Sequence, residues 1–254
     1  MGNLINTEFL KLKKSVSYKF ILIAFFVVEL LLVQNEISVG VNHTGVLYTG
    51  MQWIYKLPTQ AAYYVGFLFL FAADFVAGEF GNRTFTAAFW CGHPRGHILW
   101  AKAAVYLSGL LPFLLIHAVT GPALWTIQFG FGSPLSLALA ASIGRSILYC
   151  LIGFLVFGCI SYLCVFLTGS RIGALSLSWA VVYVLGVLAG NSVQIKYSAI
   201  REALVSFFRL TVFFQLGESD MDQIPFTVTF FSSLVWMALL LFAAKVRFDR
   251  QDLK

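Results

Sequence analysis

Apolar and polar positions alternate along this chain in long blocks. Six apolar stretches, 18–34, 60–78, 101–126, 146–168, 172–190 and 223–245, are each near the length a bilayer-crossing helix needs; such a helix uses about 20 apolar residues for a hydrocarbon core about 30 Å thick. Each stretch is apolar on all sides, which a two-sided soluble helix is not. The third contains Pro112 and the pair Gly121-Pro122, where it is expected to bend or break. A further stretch, 197–216, is apolar but carries Arg201, Glu202 and Arg209, and a central charge is costly in lipid. The pattern therefore predicts an all-α integral membrane protein of six transmembrane helices in one permease-sized domain, 1–254, with 191–222 outside and part of it dipping into the outer leaflet.

The first residues follow a different rule. Ile5, Phe9, Leu12 and Val16 fall at helical spacing, with Glu8, Lys11 and Lys14 elsewhere on the wheel. This is the pattern of an amphipathic helix lying on the membrane surface.

Composition supports the block pattern. The chain is 59% hydrophobic and 11% charged, with mean hydropathy +0.85 and 26 phenylalanines, whereas soluble domains carry about 25% charged residues. The net charge of +6 does not indicate nucleic acid, because the basic residues sit mainly at the ends of apolar runs, where they set topology and meet anionic lipid. Lys56, Arg145, Lys196, Arg201 and Arg209 fall on one side and the other twelve of the 17 on the opposite side. The positive-inside rule then places both termini in the cytoplasm.

Chemistry-bearing motifs are few. The four cysteines, Cys91, Cys150, Cys159 and Cys164, show no paired extracellular pattern. Neither a phosphate-binding Gly-rich loop, nor a His-Glu-x-x-His helix, nor a Gly-x-Ser-x-Gly elbow occurs. The chain is therefore not expected to be an enzyme or to hold a cofactor or metal of its own. Cys91, His93 and His97 are too loosely spaced for a strong zinc signal. Cleavable signal peptide and myristoylation patterns are not apparent at the N-terminus.

Glu29 lies in the first apolar run and His117 in the third. An intramembrane ionisable group is a functional candidate by default. With Gln34, Asn35 and Glu36 close behind it, Glu29 is expected to snorkel toward headgroups; the competing reading places it on a polar substrate pathway. His117 is expected to make one inter-helix hydrogen bond. Asp74 joins these two as a pathway candidate. Phe67, Phe69, Phe71 and Phe75 are candidates for an aromatic pathway facing lipid, or for ordinary packing.

The segment after the second stretch holds the richest pattern: Asp74, then Glu79-Phe80-Gly81-Asn82-Arg83-Thr84-Phe85, Phe89, and Pro94-Arg95, with Lys102 beyond. Carboxylates here suit the free N–H groups of a helix start. Phe85, Ala88 and Phe89 share one helical side.

Together with Glu8-Phe-Leu-Lys-Leu-Lys-Lys14 at the start and Arg247-Phe-Asp-Arg-Gln-Asp-Leu253 at the end, these residues resemble the membrane subunit of ATP-binding-cassette exporters of the type-2 permease family, among them bacteriocin-immunity and peptide-antibiotic resistance exporters. The resemblance is one of order and spacing over nearly the whole chain. It departs from the family at His93-Pro-Arg-Gly-His97, where a Ser or Gly more often precedes the Arg. It implies six spans, a second permease subunit, re-entrant helices between the fifth and sixth spans, and location in a bacterial cell membrane. It also implies a separate cytoplasmic ATPase that uses ATP and magnesium and docks on Glu79, Phe80, Gly81, Arg83, Thr84, Phe85, Phe89, Pro94 and Arg95. An ion-coupled carrier with Glu29 or Asp74 as proton site, and a non-transporting peptide-sensing or immunity protein, are the competing functional classes.

Overall fold

A computed structural model describes residues 2–44, 47–82, 84–132, 136–192 and 226–250. The described residues form helices and the turns beside them. Helix α1 spans Gly2–Lys14, and α2 Val16–Val39, started by Ser15, whose Oγ accepts from the Tyr18 N–H at 3.2 Å. A π-turn, Gly40–Thr44, follows. Helix α3, Gly50–Gln60, opens with a capping box in which Thr49 and Gln52 satisfy each other's backbone N–H groups. It passes through a 3₁₀ turn, Ala61–Tyr64, into α4, Val65–Phe75.

Two short helices, α5 (Gly78–Gly81) and α6 (Thr84–Trp90), make a hook before α7, Arg95–Ser108. Helices α8 (Leu111–Phe129), α9 (Leu137–Thr168), α10 (Arg171–Ser192) and α11 (Phe226–Asp249) complete the bundle. Gly169, at φ 64°, ends α9 in the left-handed conformation that glycine adopts without strain, so α9 and α10 are adjacent.

Among the described residues, five helical segments are long and apolar enough to cross a membrane: Val16–Asn42, Gly50–Gly81, Arg95–Phe129, Leu139–Thr168 and Thr229–Asp249. This is the build of a multi-pass membrane protein. The expected fifth span, 172–190, corresponds to α10, whose apolar part, Arg171–Val187, is shorter than the others. The second span begins ten residues before the expected 60, because the capping box at Thr49 starts the helix there. The re-entrant segment expected within 191–222 falls almost wholly outside the described residues, as does Arg83.

The third span is interrupted once. Its helix is interrupted at Gly109-Leu110, and Pro112 sits in the first turn of α8, where its missing N–H is harmless. The break frees the Gly109 carbonyl, which accepts from the Tyr18 hydroxyl at 2.9 Å. A side chain on Gly109 would lie 2.7 Å from the Phe71 ring, so only glycine admits this approach. Helix α8 continues through Pro122 without a break.

Helix α9 is the central post, packed against α3, α4, α10 and α11. The apolar surfaces of α2 and α11 are largely left outward, with Phe20, Ile23, Leu31, Phe231, Val235 and Phe242 exposed. Of the four phenylalanine candidates for a pathway or for packing, three lie in the core and Phe67 is half-buried against it. Phe69, Phe71 and Phe75 are buried, Phe71 stacks on Phe75 and Tyr106 at 5.4 and 5.1 Å, and Phe67 meets the buried Phe25 edge-on. Aromatic rings gain most where other rings surround them, which lipid tails do not offer.

Candidate functional site

Among the described residues, two sites of paired acids and bases stand out in the apolar bundle. The first lies at the end that carries the N-terminus and joins α1, α5 and α7. Glu8 is buried; its carboxylate accepts from Lys102 Nζ at 2.6 Å and from Lys11 Nζ at 2.5 Å. Glu79 Oε1 meets the same two ammonium groups, Lys102 at 2.8 Å and Lys11 at 3.0 Å. Two acids and two bases thus alternate in a closed node. Lys102 is 1% exposed and lies 3.8 Å over the Phe75 ring, a cation–π contact. Burial raises the Glu8 carboxyl, but Lys102 and Lys11 more than offset it and hold the group below its ordinary value. Burial likewise works against the charge on Lys11, yet Glu8 and Glu79 raise that group above its ordinary value.

The inward face of α1 is therefore set by Glu8 and Leu12, while Phe9 and Val16 are exposed. The helix expected to rest on the membrane surface is docked on α7 through its Glu8, which meets Lys102. Sequence reasoning missed this pairing. The signal available was a lone acid in an otherwise basic helix, four residues from Leu12 and thus on its face.

Beside the node, a cleft of about 220 Å³ is lined by Lys11, Ser15, Asp74, Glu79, Asn82 and Arg171, among others. Asp74 faces Arg171 at 3.8 Å, and the guanidinium lies over Gly78, where a Cβ would come within 2.8 Å of it. Asp74 thus sits at the basic end and not with Glu29 and His117.

The hook grows from this base. Phe80 and Phe85 pack together at 4.8 Å and onto Phe166 and Phe248, tying α5 and α6 to α9 and α11. The Thr84 hydroxyl donates to the Glu79 carbonyl at 3.3 Å, and Gly81 is exposed. Pro94 caps α7, and Arg95 donates to the Phe248 and Asp249 carbonyls at 3.3 and 3.1 Å, at the C-terminal end of α11 where a cation is favoured. The guanidinium also lies 5.4 Å from the Phe89 ring. Beyond these anchors the tip is bare: Phe89, Trp90 and Cys91 are exposed, Trp90 to 80%, and Gly92 makes the turn at φ 84°. The expected docking residues thus divide into a braced base, with Glu79, Phe80, Phe85 and Arg95, and a free tip at Phe89. Trp90 belongs with the tip and was not singled out from sequence.

The second site is a seam between α2, α3 and α8. Glu29 and His117 are both fully buried; His117 Nδ1 lies 3.0 Å from Glu29 Oε1, and His117 Nε2 lies 3.0 Å from the Leu57 carbonyl oxygen. Glu29 does not snorkel: the chain buries it against the imidazole, because a paired carboxylate costs less than an isolated one. His117 makes two inter-helix contacts where one was expected. Along the same faces, Trp53 precedes Leu57 by four residues and Gly121 follows His117 by four. The Trp53 indole lies on Gly121, where a Cβ would sit 2.0 Å from its Nε1, and stacks on Trp125 at 5.5 Å. Neither indole N–H has a hydrogen-bond partner among the described residues.

Those residues also contain no group of three His, Cys, Asp or Glu side chains able to hold a metal ion. No protein-family model matches the chain, and no curated protein matches it either.

Proposed function

We propose that this chain is the membrane-spanning permease subunit of an ATP-driven exporter of amphipathic substrates such as peptide antibiotics, lipids or lipophilic drugs. It works with a separate cytoplasmic ATPase that binds the ATP and magnesium, and with a second permease chain, in a bacterial cell membrane with both termini in the cytoplasm. The observation that carries this reading is the hook between α4 and α7. Its base is fixed to four helices by the charge node and the Phe80–Phe85–Phe166–Phe248 cluster, while its aromatic tip is presented outward. A rigid lever with an exposed aromatic end is suited to receive a push from a partner and pass it to the spans, since buried aromatic anchors dominate docking energetics. Purification of the tagged chain in mild detergent from its own host is expected to bring an ATPase with it. Replacing Phe89 and Trp90 together by Ala is expected to abolish that association without changing insertion. An intact chain that never carries an ATPase sinks the reading.

The buried Glu29–His117 pair favours a second reading, an ion-coupled carrier. Substrate movement driven by a proton gradient in liposomes containing this chain alone would decide for it.

A further inference from the structure

We infer that Glu29 and His117 form a one-proton binding site that fastens α2 to α3 and α8. A carbonyl oxygen can only accept, so the 3.0 Å contact to Leu57 fixes the proton on His117 Nε2. A neutral imidazole then turns a lone pair at Nδ1 toward Glu29, and a carboxylate cannot lie 3.0 Å from a lone pair with no proton between them. The contact requires one proton, carried either as carboxylic acid on Glu29 or as imidazolium on His117; both forms leave the pair neutral overall, as full burial demands. Loss of that proton sets a bare carboxylate against a lone pair and opens the joint among the three helices.

Among the described residues, no Lys or Arg is paired with Glu29. The Tyr64 hydroxyl faces Glu29 and the Cys150 thiol faces the imidazole from α9. Glu36, further along α2, is held by the Gln60 amide at 3.2 Å and faces Lys56. The proton itself is therefore the ligand that closes the seam.

This site underlies the carrier reading and stands apart from the exporter reading, so it is tested on the purified full chain with no ATPase present. Unfolding in detergent is followed from about pH 4 to about pH 9 for wild type, Glu29→Gln and His117→Gln. An unfolded imidazole releases its proton above about pH 6.5 while the folded pair keeps it, so wild-type unfolding is expected to become up to about tenfold more favourable per pH unit above that value. Glu29→Gln keeps the contact, because an amide N–H donates to Nδ1 without a titrating proton. Its alkaline loss is expected to vanish. Unfolding should instead grow more favourable as pH falls below about 6.5, where the unfolded imidazole gains a proton the folded seam does not hold. In His117→Gln the imidazole that sets the onset near about pH 6.5 is gone, and that onset is expected to be lost. Parallel profiles for wild type and Glu29→Gln would overturn the proposal. If Glu29→Gln does not fold, an unchanged onset in His117→Gln overturns it equally.

Discussion

The node at the N-terminal end and the Glu29–His117 seam both place carboxylates against bases inside an apolar bundle, yet they are built to different ends. The node has two acids and two bases in four contacts of 2.5 to 3.0 Å, with Lys11 41% exposed at its rim. Every charge there keeps a second partner if one contact opens, and water reaches the edge. The seam has one acid, one base and no exposure. Its neutrality rests on a single shared proton. The difference teaches that burial depth and partner number, more than the identity of the residues, decide whether an ion site is a permanent brace or a removable joint.

The sharpest way to break the brace is to take its deepest charge. Lys102→Met leaves Glu8 and Glu79 facing each other with only Lys11 between them, and removing one partner of a buried ionic site costs about 3–5 kcal/mol. The expected result is release of α1 from α7, read as reaction of a cysteine placed at the buried Leu12 with a water-soluble thiol reagent. A protected Leu12 position in that variant would show that the node does not hold α1.

The seam breaks by sterics instead of charge. Gly121→Ala sets a methyl group 2.0 Å from Trp53 Nε1, on an indole already stacked against Trp125. Overpacking of this kind costs about 1–3 kcal/mol. Detergent unfolding should shift accordingly, with the Trp53 and Trp125 emission altered. A variant as stable as wild type would mean that the indole swings aside freely.

The hook tip offers the contrast of a residue that serves neither site. Trp90→Ala should change stability by no more than about 0.5 kcal/mol, the usual range for a surface substitution, because Trp90 is 80% exposed. Loss of folded chain on this substitution would reassign Trp90 from the tip to the brace.

The smallest expected effect is the response of the node to pH. Glu8 is held below its ordinary value of 4.5, so its contribution is present above that value and is lost only as pH falls through the lowered one. Lys11 is held above its ordinary 10.5, so its contribution is present below that value and is lost only as pH rises through the raised one. Docking of α1, read by protection of the Leu12 position, should therefore be flat from about pH 5 to about pH 9, the window in which the seam responds. A change within that window would place the two sites under one rule.

The sequence by itself determined the class of this protein. Apolar blocks of crossing length, phenylalanine in excess and basic residues at the block ends leave a helical bundle in lipid as the physical solution, because each span must satisfy its own backbone hydrogen bonds. It also located the polar segment after the second span, and Glu29 and His117 within the spans. What lay beyond it were partnerships between residues far apart in the chain. Glu8 and Lys102, or Glu29 and His117, look alike on any wheel whether they meet a base, a headgroup or water. Only packing brought α1 onto α7 and α2 onto α8, and packing decided that Glu29 is enclosed, that Phe71 is core, and that the third span breaks at Gly109 while running on through Pro122. Local pattern records how costly a residue is in lipid. Which partner offsets that cost is a property of three-dimensional neighbours.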